Sequence, residues 1–341
     1  MMSIKTMFNE SSIFFWDIGD ETKQLIELIN GSFLSTLISV LGIIGSAINI
    51  AVFYKQGLGS AINISFALLA LSELCGLLTL LWYTIFGNPS VLKYEDTIFY
   101  FPEVKHLTAG FPHGCFYGVT SWITVFIMAE RCFCVAFPLN VKKLITPRRN
   151  KITIFCIYLL MFLSMAPQYA CKYLDWKFVP RFNRSYIGLI IIEESRQIED
   201  VSSALISSYM ISSFLAVPTL TSTLLVLYSS SAKWRYTNAD RKKVFSSRDR
   251  SLVKIVLVEG FIFSAIYSVS VFVLMMNILL PEFNYVGRMS NLFFVCFSFT
   301  FLFDAFNSSI HFVLYLKMSS NYRATLRELF KVFSVRGWEH R

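Results

Sequence analysis

Two opposite charges stand side by side where a long apolar run ends, in the segment "MAERCFCVAFP" at residues 128–138. At the end of a membrane-spanning helix, charges cost less than at the bilayer centre because water is near. Glu130 and Arg131 therefore predict a conditional lock, which holds neighbouring helices together while the two charges are paired. When the helices separate, Arg131 becomes free to contact the backbone carbonyls of a partner protein. Ordinary snorkelling of an interfacial arginine is the alternative interpretation.

Polar side chains recur on one face of the helix that ends at Arg131. Counting back by threes and fours gives Ile127, Thr124, Thr120, Tyr117 and His113. At 1.5 Å per residue, His113 and Arg131 lie roughly 27 Å apart. A polar stripe of this length predicts a seam through the bundle, from an outer cavity to the opposite end.

The last apolar run repeats this arrangement. Asp304, Asn307, His311 and Tyr315 share a helical face, and ionisable groups inside spans nearly always face the bundle interior or a water-filled cavity. The first and second apolar runs add one polar residue each, Asn49 and Glu73. We therefore predict a buried polar network formed by Asn49, Glu73, Thr120, Asn307 and His311. The alternative is that these residues only hold helices together, through hydrogen bonds of about 0.6–2 kcal/mol each.

The composition requires that these residues lie on membrane-spanning helices. The chain has 341 residues, of which 55% are hydrophobic and 16% are charged, whereas soluble proteins carry about 25% charged residues. A bilayer-spanning helix needs roughly 20 apolar residues. Seven stretches qualify, namely 33–54, 62–86, 107–131, 152–170, 203–228, 252–280 and 286–316. We predict an all-α membrane protein with a seven-transmembrane helix bundle at residues 33–316.

The distribution of charge predicts the orientation. Most Lys and Arg residues follow spans one, three, five and seven, and basic loops face the cytoplasm. Residues 1–32 are thus expected to form an extracellular amino terminus without a cleavable signal peptide. Residues 317–341 form a cytoplasmic tail. The net charge of +9 is a topology signal, and no nucleic-acid partner is expected. We expect a multi-pass protein of the plasma membrane.

The loops and the tail carry three further patterns. Asn9, Asn30 and Asn183 begin Asn-x-Ser sequons on the predicted outside and are glycosylation candidates. The segment "YIGLIIIEE" at 186–194 predicts a strand or lid over the bundle, or else a loop packed against its own helices. The tail segment "SSNYRATLRELFKVF" places apolar and basic residues on opposite faces, which predicts a short amphipathic helix on the inner membrane surface.

The seven cysteines show no C-x-x-C pair and no Cys/His metal spacing. A disulfide framework, a metal site and a cofactor are therefore not expected. Nucleophile motifs and phosphate-binding loops are also absent from the sequence, so we do not expect an enzyme.

Several motifs in order along the chain resemble those of rhodopsin-like (class A) G-protein-coupled receptors. "GSAINIAVF" is similar to the first-helix signature, with Asn49 as its Asn, and "NISFALLALSE" places Glu73 where the family has Asp. Glu130 and Arg131 stand where the family has Asp-Arg-Tyr, and "NSSIHFVLY" resembles Asn-Pro-x-x-Tyr, ending at Tyr315. The inner segments look most like an invertebrate branch that mixes orphan, chemosensory and peptide-type receptors.

The chain departs from the family pattern at the positions of known switches. His311 and Phe312 replace Asn-Pro, the sixth span has no Cys-Trp-x-Pro, and His106 stands where the family has its outer disulfide cysteine. The resemblance implies an extracellular ligand, a heterotrimeric G protein and membrane lipid as partners. Glu130, Arg131 and Tyr315 would form the activation lock.

A candidate ligand pocket lies in the predicted outer half of the bundle. It comprises His113, Tyr117 and Asp304, with Trp82 and Tyr83 near its rim. By resemblance, His113 replaces the Asp of amine receptors, so a peptide or an environmental chemical is favoured over a monoamine. Asp304 either contacts the ligand or forms a structural pair with His113. The alternative function is a transporter or cation channel that uses the buried acids Glu73, Glu259 and Asp304.

Overall fold

Seven long helices and one shorter helix make up most of the described chain. The computed structural model describes residues 18–86, 88, 97–138, 140–180, 183–237, 247–280, 282–283 and 287–336. The helices are α1 (Asp20–Lys55), α2 (Ala61–Ile85), α3 (Glu103–Ala136), α4 (Pro147–Ala170), α5 (Arg196–Thr237), α6 (Ser247–Leu279), α7 (Ser290–Met318) and α8 (Ser320–Arg336). The first seven are long and apolar enough to cross a membrane. The predicted seven-helix membrane bundle with a further helix after the last span is confirmed.

The first helix begins earlier than its hydropathy predicts. α1 starts at Asp20 rather than at residue 33, and it contains a π-helical segment, Leu28–Ser35. Asp20 and Glu21 lie in its first turn, where acidic side chains interact favourably with the helix dipole. Residues 20–32, which the hydropathy assigns to the amino-terminal segment, are therefore helical.

Glycine allows α1 to pack closely against α7. A Cβ atom at Gly42 would lie 2.1 Å from the Ser309 hydroxyl, and one at Gly45 would lie 2.9 Å from Cβ of Phe312. Small residues of this kind let helix backbones approach each other inside membranes. The turn from α1 into α2 contains Gly57 with φ of +92°, a conformation that favours glycine.

α3 is the central helix and packs against α2, α4, α5 and α6. Val119, Ile123 and Ile127 are completely buried on this helix. Because they alternate with Thr120 and Thr124, which are also buried, the polar stripe of α3 lies within an apolar core.

A β-hairpin lies at one end of the bundle, between α4 and α5. β1 (Lys172–Val179) pairs antiparallel with β2 (Arg184–Ile191), and Ile187 also bridges to Phe99. Glu103 of α3 holds the hairpin, since its carboxylate accepts hydrogen bonds from Lys177 Nζ at 2.8 Å and from the Leu189 amide at 2.7 Å. Of the two alternatives for residues 186–194, the structure has the strand, as β2, which ends at Ile191. We call this end of the bundle the hairpin end and the opposite end, which contains Arg131 and α8, the α8 end.

None of the seven cysteines, all of which lie among the described residues, is part of a disulfide bond. Cys171 is buried, with its Sγ 3.6 Å from the carbonyl oxygen of Ser195. His106, at the position of the family's disulfide cysteine, lies with Nε2 3.4 Å from the Tyr83 hydroxyl.

Candidate functional site

A cavity of about 720 Å³ opens among α3, α6 and α7 toward the hairpin end. Most of its wall is aromatic or aliphatic, and the polar groups are few. The lining residues are His106, Gly110, Phe111, His113, Gly114, Tyr117, Met210, Tyr267, Ser270, Val271, Val273, Leu274, Asn277, Phe293, Phe297, Thr300, Phe301 and Asp304. An apolar pocket with a few convergent polar groups is typical of a small-molecule site.

Asp304 and His113 form an ion pair that faces this cavity. His113 Nε2 lies 3.1 Å from Asp304 Oδ2, while Nδ1 lies 3.1 Å from the carbonyl oxygen of Gly76. The carbonyl oxygen of Gly76 accepts a hydrogen bond from one ring nitrogen, and the Asp304 carboxyl group faces the other. The structure thus has the pair that the sequence offered as one alternative, and both residues also line the cavity.

Tyr117 joins the cavity wall in α3 to α6. Its hydroxyl donates to Ser270 at 3.2 Å, and its ring stacks on Tyr267 with the centroids 5.1 Å apart. Tyr267 stacks in turn on Phe263 at 4.8 Å. A ligand that moves Tyr117 would therefore act directly on α6.

The two residues predicted at the rim lie outside the lining. Trp82 is 47% exposed, and its Nε1 donates to Thr108 at 3.1 Å. Tyr83 contacts the lining residues His106 and Phe301, with its ring 4.9 Å from that of Phe301. Tyr83 thus supports the cavity wall, whereas Trp82 projects away from it because it lies on the exposed side of α2.

Halfway along the bundle, one imidazole lies between two carboxylates. His311 of α7 contacts Glu73 of α2 through Nδ1 and lies 3.1 Å from Glu259 Oε1 of α6 through Nε2. All three residues are only 1–2% exposed. We call this arrangement the Glu73–His311–Glu259 bridge. It joins two members of the predicted polar network to a third residue that the sequence had placed only on a hypothetical cation path.

The other predicted network members have different partners. Thr120 lies with Oγ1 2.9 Å from the Ser72 hydroxyl of α2. Asn49 accepts a hydrogen bond of 2.7 Å from the Tyr322 hydroxyl of α8. Burial raises the pKa of Tyr322, so this hydroxyl stays protonated and donates. Asn307 is buried on α7, one helical turn before His311. The network thus consists of separate contacts that each join two or three helices.

Tyr315 lies in an aromatic cluster at the α8 end. Its ring centroid is 5.2 Å from those of Phe53 and Phe66 and 5.8 Å from that of Tyr322. The residue is 2% exposed, and its hydroxyl has no hydrogen-bond partner among the described residues. Tyr315 therefore packs α7 against α1, α2 and α8.

The Glu130–Arg131 lock differs from the prediction. The Glu130 carboxylate accepts hydrogen bonds from Asn150 Nδ2 at 2.6 Å and from the Ser65 hydroxyl at 3.0 Å. Within the described part of the chain, no ion pair within 4 Å joins Glu130 to Arg131. Arg131 is buried, and its Nε has no partner in the same ranges. The expected pair is thus replaced by a Glu130 clamp on α2 and α4, because these neutral donors satisfy the carboxylate from two directions.

The glycosylation candidates fall in three different environments. Asn183 is exposed in the turn between β1 and β2, with φ of +48°. Asn30 is 5% exposed inside α1, and its Nδ2 donates to Ser298 at 3.2 Å. A glycan needs an accessible amide, so Asn30 is a wrong candidate. Asn9 and most of the basic segment 241–250 lie outside the described residues.

The sequence identified many residues of the site but not the residues on other helices that contact them. Asn150, Ser65 and Tyr322 were not predicted to contact the site, because helical spacing shows which residues share a face but not which helix lies opposite. Among the described residues, no group of three His, Cys, Asp or Glu side chains could hold a metal ion.

Seven helices that could cross a membrane, a cavity at one end and a buried arginine at the other agree with the architecture of seven-transmembrane receptors. A family model described as "Serpentine type 7TM GPCR chemoreceptor Srw" matches residues 32–333. The chain belongs to this family and is a multi-pass membrane receptor rather than an enzyme. The family implies an extracellular ligand and a G-protein partner in general. A search of curated proteins found no match.

Proposed function

We propose that the chain is a plasma-membrane chemoreceptor, with the hairpin end outside the cell, that converts ligand binding in the 720 Å³ cavity into activation of a heterotrimeric G protein at the α8 end. The observation that carries this proposal is the series of buried polar contacts between the two ends. The Asp304–His113 pair faces the cavity, the Glu73–His311–Glu259 bridge lies in the middle, and Arg131 lies at the far end. Each contact joins different helices, so a ligand can shift their arrangement.

The cavity supports a ligand that is largely apolar. Pockets for small molecules typically enclose roughly 300–1,000 Å³, and this one is mostly aromatic and aliphatic. The Asp304 carboxyl group already contacts His113 at 3.1 Å, so an ammonium group would have to displace the imidazole. An environmental chemical or the end of a peptide, with one polar group that reaches Asp304, Ser270 or Thr300, therefore fits better than a monoamine.

The α8 end supports the coupling role. Arg131 is buried without an ion-pair partner among the described residues, and its release would present a cation to the carbonyl groups of a G protein. α8 packs through Tyr322, Leu326 and Leu329 against the core while Phe330 is 58% exposed. This amphipathic arrangement supports contact with lipid at the inner membrane surface.

The direct test is a ligand screen in cells with a G-protein dissociation sensor. Volatile and water-soluble organic chemicals and short peptides are applied, and an active compound is then tested on two variants of α6. Ser270→Trp fills the cavity and should abolish the response, whereas Ser268→Trp makes the same change on the exposed face of α6 and should not. Equal responses of the two variants would contradict the cavity assignment. Ligand-independent current or uptake without G-protein activation would favour the transporter or channel.

A further inference from the structure

The Glu73–His311–Glu259 bridge contacts neither the cavity nor the surface of the α8 end. Its three side chains are 1–2% exposed and come from α2, α7 and α6. The two ring nitrogens of His311 each face a carboxylate, which in its ionised form only accepts hydrogen bonds. His311 thus joins a carboxyl group of α2 to a carboxyl group of α6. Loss of either carboxyl group would leave one buried ring nitrogen without its polar partner, which is costly.

The two arms of the bridge have different surroundings. The Glu73 arm joins α2 to α7, and these helices are also held together through α1, where Gly42 packs against both Leu77 and Ser309. The Glu259 arm joins α6 to α7. A movement of α6 away from α7 would therefore separate Glu259 from His311, whereas the Glu73 arm, between α2 and α7, does not involve α6.

The residue after Glu259 brings α6 unusually close to α3 and α5. A Cβ atom at Gly260 would lie 2.2 Å from Thr221 Oγ1 and 2.4 Å from Met128 Cε. The bridge thus closes at a point of tight packing, where a small displacement of α6 separates the charges. Beyond the ring of His311, the carboxylate oxygens of Glu73 and Glu259 have no polar partner among the described residues. The bridge therefore depends on one imidazole, and separating α6 from α7 breaks a single contact of Glu259.

We propose that Glu259 is a positioning residue for activation, which holds α6 against α7 through His311 in the resting receptor and lets α6 move away when this contact breaks. Glu259 acts through His311 and contacts neither the ligand nor the G protein. The proposal rests on the receptor function proposed above and adds a residue that sequence reasoning assigned to a different function. It also gives α6 a restraint in a structure where Glu130 contacts α2 and α4 rather than pairing with Arg131.

The test compares Glu259→Gln with wild type in the full-length receptor. Spin labels at Lys151→Cys in α4 and Arg250→Cys in α6, both exposed, report the separation of these helices in nanodiscs. The exposed Cys156 is replaced by Ser throughout. A second measurement, basal G-protein activation per receptor at the cell surface, is made on unlabelled receptors. Glu282→Gln makes the same chemical change at an exposed position and is the matched control.

We expect Glu259→Gln to shift the label distances toward longer values and to raise basal activation about tenfold, which corresponds to about 1.4 kcal/mol in the balance of the two states. A purely structural role would lower the amount of folded receptor without lengthening the distances. His311→Gln should give the same shift, and the double variant should add little because both changes break one contact. The single variant His311→Gln also supplies the measurement if Glu259→Gln fails to fold.

The outcomes separate the two proposals. Longer distances without any G-protein activation would support the role of Glu259 and contradict G-protein coupling. Unchanged distances in Glu259→Gln and in His311→Gln would overturn the role of Glu259, whatever the G-protein assay shows. An equal shift in Glu282→Gln would overturn it as well, since the effect would then not depend on the bridge.

Discussion

The Glu130 clamp gives the most quantitative prediction. Asn150 donates its Nδ2 to Glu130 Oε1 at 2.6 Å, and both side chains are buried. A hydrogen bond to a charged group contributes about 1.5–3 kcal/mol, and a buried acceptor left without its donor pays the desolvation cost. We therefore expect Asn150→Ala to lower the free energy of unfolding by about 1.5–3 kcal/mol. In this variant, Glu130 keeps the hydrogen bond that the Ser65 hydroxyl donates to it at 3.0 Å.

A double-mutant cycle measures whether this loss comes from the carboxylate. The free energy of unfolding is determined by SDS titration of purified receptor in mixed micelles for wild type, Asn150→Ala, Glu130→Gln and the double variant. If Asn150 acts through the charge of Glu130, the Asn150→Ala loss should shrink to about 1 kcal/mol or less in the Glu130→Gln background. An undiminished loss in the Glu130→Gln background would refute the clamp, and Arg131 would again be the candidate partner of Glu130.

Three further changes test other parts of the structure. Gly42→Ala should lower the free energy of unfolding by about 1–3 kcal/mol in the same SDS titration, because the added Cβ atom would lie 2.1 Å from Ser309 Oγ. Gly59→Ala adds a Cβ atom where there is open space, so this control should show no such loss. Asn183→Gln should increase the gel mobility of cell-expressed receptor as glycosidase treatment does, and unchanged mobility would exclude a glycan in the hairpin turn. Tyr322→Phe should lower the unfolding free energy by about 0.6–1.7 kcal/mol through loss of the hydrogen bond to α1, and an unchanged value would contradict that bond.

Hydropathy predicted the spans well because membrane insertion depends on continuous apolar length. It placed the start of α1 too late, since Asp20, Glu21 and Lys23 are polar residues whose helical structure depends on local propensity and on packing. Asn291 of α7 contacts Asp20 at 2.8 Å, a contact between distant parts of the chain that no window of the sequence contains. The strand in the loop after α4 was one of two alternatives, because a short apolar run rich in β-branched residues fits a strand but also fits a loop packed against its own helices.

For the site, the sequence identified which residues share a helical face. His113, Asp304 and His311 were found in this way, since a charged group inside a span stands out against its neighbours. Their partners across the bundle were harder to predict, because the same pattern fits several rotations of the facing helix. Glu259 shows this limit most clearly. It was noticed as a buried acid, but only the packing of α6 against α7 shows that it faces His311.

The most direct test of the central claim is G-protein activation by Arg131→Ala. The receptor is expressed in cells with a G-protein dissociation sensor, an active ligand is applied, and surface amounts are matched to wild type. Lys151→Ala, which removes an exposed cation near the same end, is the control. The account predicts no activation by Arg131→Ala and normal activation by Lys151→Ala. Normal activation by Arg131→Ala at equal surface amount would contradict it.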